Sequence, residues 1–590
     1  MRKLISVLLC FIFAFPAAAE ETSSGLPPIQ APENPVINRN YIPDTEATII
    51  EFSDGAAQIH GDGAEYSDNK LIIRNGGVYS LSGTLDGQIV IDSADEEKVE
   101  LVFNGVSVNS FDQSSLLVLS AGKNVTIRLV DDSVNLIACT FITDVLSIDG
   151  AYDAAIFSKA DLKFKGDGAL YVTGNGAKGI NCRDDITVQS VSLFITATDD
   201  GMRGKDSVTI DSGNIRISAG ADGIRSNNEE REDKGFVTIN GGTITIDSVL
   251  DAIQSYNTLS IFGGELLLET GGGAKEGNDI RGNEMPRGGG FGGGRGWDMD
   301  QRQSKSESTV ESAKGLKSDT NIIITGGDVN GNCMDDAIHS NIDITIEGGQ
   351  LTLASGDDGI HADNALHIKG GQILITQSYE GIEAADLKIS GGETRLTSSD
   401  DGINAAGGEK EASSYGGWGG RGGMGMLSTT SGTMLMTGGY VLVNSDGDGI
   451  DVNGSASMTG GTLLVYGPSN SGNGALDYDG VFSVSGGMLL AIGSAGMAQA
   501  VTASGDAQML AFTCGMPANV LLHIRDTSRN EVLTFESPKQ YSCVVFASEV
   551  LTSGMEYEVY AEGAYSQEGL DGYYTNGIYT PGTLLGSLTL

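Results

Sequence analysis

The 590-residue chain is short of the residues that usually carry chemistry: 6 Cys, 5 His, 2 Trp and 11 Pro. Basic residues are also scarce, 35 Lys and Arg against 78 Asp and Glu, for a formal net charge of -43. Nucleic acid is thereby excluded as a partner, since phosphate binding needs a basic stripe. Beyond the first 20 residues no apolar run is long enough to span a bilayer, so no membrane insertion is expected. The chain has no P-loop, no Gly-x-Ser-x-Gly elbow and no Cys-x-x-Cys, which removes the common nucleotide, hydrolase and redox signals. Five cysteines follow the N-terminal segment: Cys139, Cys182, Cys333, Cys514 and Cys543. An odd, sparse set excludes a disulfide framework. The first three read as buried thiols, and a bond between Cys514 and Cys543 stays open.

What is abundant is glycine, 86 residues without the collagen triplet. From Cys333 to Ala405 the chain repeats one unit: CMDDAIHSNIDITIEGGQLTLAS, GDDGIHADNALHIKGGQILITQS, YEGIEAADLKISGGETRLTSS and DDGINAA. Ile338, Ile360, Ile382 and Ile403 recur at steps of 22, 22 and 21, and Gly348-Gly349, Gly370-Gly371 and Gly391-Gly392 keep nearly the same step. A fixed period of this size predicts a solenoid. The apolar positions alternate with period 2, as in Ile344 and Ile346 followed by Leu351 and Leu353, which is the mark of half-buried strands. The expected fold is all-β, a parallel β-helix with three strands per turn of about 22 residues.

The register extends in both directions. Ile156, Ile180, Met202, Ile224, Ile253, Leu316, Ile338, Ile360, Ile382, Ile403, Ile450 and Leu476 are expected at one position of successive turns. Steps of 63 (Ile253 to Leu316) and 47 (Ile403 to Ile450) mark turns with Gly-rich insertions at about 272–312 and 407–429, which hold Trp297 and Trp418. Whether GAKEGNDIRG, 273–282, is a further degraded turn is open at this point. Residues 1–19 read as a secretory signal, with Arg2 and Lys3, an apolar run to Phe15, and Ala17-Ala18-Ala19 before cleavage at Glu20. Secretion follows from that reading. Residues 20–48 read as a flexible leader, 49–510 as the coil, and 511–590, where the glycine ladder stops, as a small C-terminal antiparallel β-domain.

Stacked turns lie roughly 4.8 Å apart, so repeated acids become columns. The expected metal ligands are Asp199, Asp200, Asp222, Asp335, Asp336, Asp357, Asp358, Glu380, Asp400, Asp401 and Asp448. Like charges opposite one another destabilise a sheet, and hard oxygen ligands without cysteine favour Ca²⁺. Lys178 and Lys314 interrupt the same column. The residue after each marker points outward, and there Arg203, Arg225, Lys317, His339 and His361 form a candidate sugar-binding face, with Trp297 and Trp418 on the insertions as stacking partners. Calcium beside basic side chains fits an acidic polysaccharide, through carboxylate bridging and ion pairing. The same set fits eliminative cleavage, with Lys178, Lys314 or Lys317 as base.

The units DDAIHS, DDGIHA, DDGINA and DGDGIDVNG, the opening GGVYSLSGTLDGQIVID and VELVFNGVSVNS, and the closing ESPKQYSCVVFAS and YTPGT resemble a secreted bacterial carbohydrate-binding domain family. The likeness covers roughly residues 50 to 590. It implies a right-handed parallel β-helix similar to calcium-dependent pectate lyases. It also implies Ca²⁺ at the doubled aspartates and binding of cellulosic or pectic chains without catalysis. Two alternatives stand beside it: a calcium-dependent pectate-type lyase, and a surface adhesin with a protein partner.

Overall fold

The computed structural model describes residues 26–53, 55–141, 152–275, 312–406 and 432–590. Among them, 47 strands hydrogen-bond into one sheet dominated by parallel pairs, and no helix is long and apolar enough to cross a membrane. Each strand of the regular region pairs with those three before and three after it. Lys178–Cys182 lies between Ala154–Ser158 and Met202–Gly204, Asp185–Gln189 between Leu162–Lys165 and Ser207–Ile210, and Val191–Ala197 between Ala169–Asn175 and Gly213–Ala219. Three strands therefore complete one turn. In two turns the first and second strands fuse, as Ile360–Ile368 and Ile382–Ile389.

The marker residues stack in the expected order from Ile156 through Ile180, Met202, Ile224 and Ile253 to Leu316. They continue through Ile338, Ile360, Ile382, Ile403 and Ile450 to Leu476. Ile253 pairs directly with Leu316, and Glu265 with Asp328, so no rung separates them and the question of an extra turn is answered. The insertions leave the ladder unbroken because both their ends return to one register. Every marker is buried in a single apolar core that runs from Ile50 to Ala547. Burying each such side chain contributes about 1.5–3 kcal/mol.

The glycine pairs turn the chain between second and third strands. The second glycine of each pair has a positive φ, 95° at Gly349 and 92° at Gly371, a conformation that side chains oppose. The first is required by stacking: a Cβ at Gly348 would lie 2.5 Å from the Thr325 carbonyl oxygen of the turn below.

Both ends of the coil are tied down by further contacts. The leader is not free along its length: Val36 and Val134 exchange backbone hydrogen bonds at 2.9 and 3.0 Å, and Asn38 Nδ2 donates to the Asp131 carbonyl. Gly105 makes room for it, since a Cβ there would meet Ile37 at 2.4 Å. Cys514 and Cys543 are free thiols, as are the buried Cys139, Cys182 and Cys333. At the C-terminal end, Tyr541–Ser548 pairs antiparallel with both Met488–Gly493 and Gln508–Met516, so the main sheet runs across residue 510. A separate four-stranded sheet follows, with Leu521–Asp526 between Glu531–Glu536 and Glu556–Ala561, and Thr583–Thr589 at one edge. Its apolar side shares a core with Leu464, Tyr466, Leu490 and Ile492 of the last turns.

Candidate functional site

Two columns run side by side along the first strand of each turn. The inner one, two residues before the marker, holds Asp200, Asp222, Asp251, Asp336 and Asp358, all buried. The outer one holds Arg203, Arg225, Gln254, Lys317, His339, His361, Glu383, Asn404, Asp451 and Asp477 in continuous register.

Asp222, Asp251 and Asp336 each divide their two oxygens. Oδ1 accepts the backbone N–H of the inner residue on the next turn: Asp251 to Asp222 at 3.1 Å, Lys314 to Asp251 at 2.8 Å, Asp358 to Asp336 at 3.0 Å and Asp448 to Asp401 at 2.6 Å. Aspartate suits this position because its short side chain reaches one turn along the coil and satisfies a buried donor. Oδ2 faces the outer column and meets a basic side chain there. Arg225 Nη1 is 3.0 Å from Asp222, Lys317 Nζ 3.3 Å from Asp251, His339 Nδ1 2.8 Å from Asp336 and His361 Nδ1 2.8 Å from Asp358. His361 also lies 3.2 Å from Asp363. Burial opposes its charge, but Asp358 and Asp363 outweigh it and push its pKa up to about 11, so it stands as an imidazolium.

The two lysines of the inner column serve the same end. Lys314 Nζ lies 2.7 Å from both Asp335 and Asp336, and Lys178 Nζ bonds Asp153 at 3.0 Å and also Asp199. Burial works against both ammonium groups, yet the surrounding carboxylates raise both pKa values, so they remain charged. An ammonium held this way is a counter-ion. Carboxylates of Asp335, Asp336 and Asp357 converge within 4.8 Å, but Lys314 already sits on two of them.

The series of cations ends at Glu383. From there the outer partner of each inner acid is another acid or an amide: Glu383 for Glu380, Asn404 for Asp401, Asp451 for Asp448. Burial first, and neighbouring acids second, push Glu380 up to about 7, Asp401 to about 8 and Asp451 to about 6. Asp448 is raised for the same reasons. Asn404 donates to Glu380 at 2.9 Å while its Oδ1 is buried without a hydrogen-bond partner. At the opposite end, Arg203 is depressed by burial and by the charges of Arg225 and Arg183. It donates to Asn227 at 3.0 Å, and the buried Arg225 Nε has no partner.

The sequence placed these residues in the right columns. Missing from it were the backbone bonds to Oδ1 and the contributions of Asp153, Asp363 and Arg183. A signal for the pairing was present in the i,i+3 spacing of Asp222 and Arg225, Asp336 and His339, and Asp358 and His361. Trp297 and Trp418 lie outside the described residues.

The model of the carbohydrate-binding domain-containing proteins matches residues 67–359 and 357–524, most of the coil. The chain belongs to this family. A carbohydrate-binding domain-containing protein of Acetivibrio thermocellus is 36% identical over 156 residues, 26% of this chain and 54% of that relative. The chain thus spans about half the length of the curated relative it matches. Among solved structures, the polysaccharide lyase-like protein from C. thermocellum, in a gadolinium derivative, is 33% identical, with 38% of this chain and 92% of that one covered at a TM-score of 0.35.

Proposed function

We propose that this protein is a secreted, calcium-binding member of its family that holds cellulosic or pectic polysaccharide without cleaving it, on a coil that winds as a right-handed parallel β-helix. The observation that carries the calcium reading is the break in the counter-ion series. Calcium does not fit Asp199 or the Asp335-Asp336 turn, where lysine ammonium groups occupy the carboxylates. Nor does it fit Asp222, Asp251 or Asp358, whose outward oxygens meet Arg225, Lys317 and His361. We place it in the stretch from Glu380 to Asp451, where the half-buried carboxylates of Glu380, Asp401, Asp448 and Asp451 make no ion pair with any described residue and Asn404 offers an unpartnered oxygen. Glu380, Asp400, Asp401, Asp448 and Asp451, hard oxygen donors spread over three successive turns, are the residues from which its ligands would come. Bound there, Ca²⁺ supplies positive charge able to bridge protein and uronate carboxylates.

The cluster of Arg183, Arg203 and Arg225, with the spare Nε donor of Arg225, supports recognition of an acidic sugar. The lysines that would act as a lyase base are each ion-paired, Lys178 to Asp153, Lys314 to Asp336 and Lys317 to Asp251, which favours the non-catalytic reading. Retention on insolubilised polygalacturonate, with and without chelator, tests the reading, together with calorimetry of chelator-stripped protein. Retention that chelator abolishes and Arg225→Ala weakens is expected. Absence of both Ca²⁺ binding and a Ca²⁺-dependent rise in melting temperature would sink the calcium claim, and a steady rise in the ultraviolet absorbance of unsaturated product would overturn the non-catalytic one.

A further inference from the structure

A different face of the coil carries concave surface. The glycine-pair turns from Gly326 to Gly392, with Gln350, Gln372 and Glu393, line an open groove of about 570 Å³. A second concavity of about 570 Å³ adjoins it on the same strands, walled by Leu374, Arg395, Leu442 and Asn444 on one side and by Asn519, Glu536, Pro538 and Asp571 of the C-terminal region on the other. Both lie on the strands Gln372–Gln377 and Glu393–Ser398, the glycine groove at their starts and the overhung concavity further along, so a chain laid along these strands would run through both as one cleft. Each part has the size usual for ligand sites, about 300–1,000 Å³.

The lining chemistry differs from that of the first-strand face. Its one arginine is already held by acids: Arg395 Nε bonds Asp571 at 2.9 Å and Arg395 Nη1 bonds Glu393 at 3.1 Å, while Tyr440 Oη donates to Asp571 at 2.7 Å and Tyr574 Oη to Glu536 at 3.1 Å. The lining is thus acidic, which disfavours a uronate, and its remaining groups are neutral. Asn444 Oδ1 is buried without a partner, Leu374 is 42% exposed, and Gln350 and Gln372 present amides on consecutive turns. A buried unpaired carbonyl costs about 1–3 kcal/mol unless a ligand hydroxyl donates to it, and an exposed leucine beside amides suits a ring with an apolar face and a polar rim. Amides repeated at the rung spacing, roughly 4.8 Å, suit a polymer of repeating polar units better than a single small molecule. We propose that this cleft is a second glycan site, specific for an uncharged polysaccharide chain, laid along the glycine groove and gripped beneath the C-terminal overhang.

The inference rests on the carbohydrate-binding reading but not on calcium or on the arginine cluster. Titration of cellohexaose into the full chain by calorimetry, and retention on insoluble cellulose, test it with Leu374→Asp and Gln372→Arg, two exposed positions where folding is not at stake. Each substitution is expected to weaken cellohexaose binding about tenfold or more in the presence of chelator, with polygalacturonate retention, measured in Ca²⁺, unchanged. Arg225→Ala is expected to do the reverse. The proposal falls if the wild-type chain holds polygalacturonate but no neutral glycan, or if it holds cellohexaose and both cleft variants bind equally well. Failure to hold any glycan would instead remove the carbohydrate reading from which it starts.

Discussion

Replacing Asp336 with alanine is the sharpest test of the aspartate ladder. Its Oδ1 accepts the Asp358 N–H at 3.0 Å, while its Oδ2 receives Lys314 Nζ at 2.7 Å and His339 Nδ1 at 2.8 Å. Burial opposes the carboxylate, but Lys314 and His339 hold its pKa far below the usual range. Truncation strands a buried amide, costing about 1–3 kcal/mol. It also removes one partner of a buried ion pair, costing about 3–5 kcal/mol. Because the two losses share one site they do not simply add, and about 4–6 kcal/mol is expected. In a coil whose turns touch only their neighbours the damage stays local. Amide hydrogen exchange is therefore the assay: protection at Leu316, Ile338 and Ile360 is expected to fall by about a thousandfold or more, with Ile224 unchanged. Asp336→Asn keeps the Oδ1 acceptor and removes the charge, so it is expected to lose less. Combining it with Lys314→Met, which removes the opposing ammonium, is expected to recover part of the loss. A loss below about 1 kcal/mol for the alanine variant, or a fall in protection spread evenly over the coil, would refute the ladder as a structural device.

Two further predictions follow the same logic. Asp401 and Glu380 hold protons more tightly in the folded chain, at about 8 and about 7, than in the unfolded one, where carboxyls titrate near about 4. Their contribution is therefore complete below about pH 4 and is lost as pH rises through the folded values. The melting temperature of chelator-stripped protein is expected to fall between pH 5 and pH 8, with Asp401→Asn or added Ca²⁺ flattening the fall; a melting temperature that rises over that range would contradict it. At the glycine pairs, Gly349→Ala forces a side chain to φ 95° with its Cβ 3.0 Å from the Gly327 carbonyl oxygen. A cost above about 1 kcal/mol, measured by denaturant unfolding or local exchange, is expected, whereas Gly515→Ala, with nothing within 4 Å, is expected to be neutral.

The repeat, its register and the two columns were legible in the chain alone. Period-2 alternation and a 22-residue step leave one arrangement that buries every marker, and stacking then carries each repeated residue onto its equivalent, from Ile156 to Leu476. The i,i+3 pairing of Asp336 with His339 was also written there, since neighbours on one short strand and its entry turn must meet. The splitting of Asp222, Asp251 and Asp336 between a backbone amide one turn on and a basic side chain was not, because that amide lies 22 residues or more away and only folded geometry sets its direction. Nor was the cleft over Leu374: Asp571 reaches Arg395 across 176 positions of sequence, through a fold of the C-terminal strands back onto the coil that no periodicity encodes. A repeating chain specifies its repeat by local pattern. Where its two ends are tied, and which of its many equivalent faces is roofed over, depends on contacts made once, between parts of the chain that share no pattern.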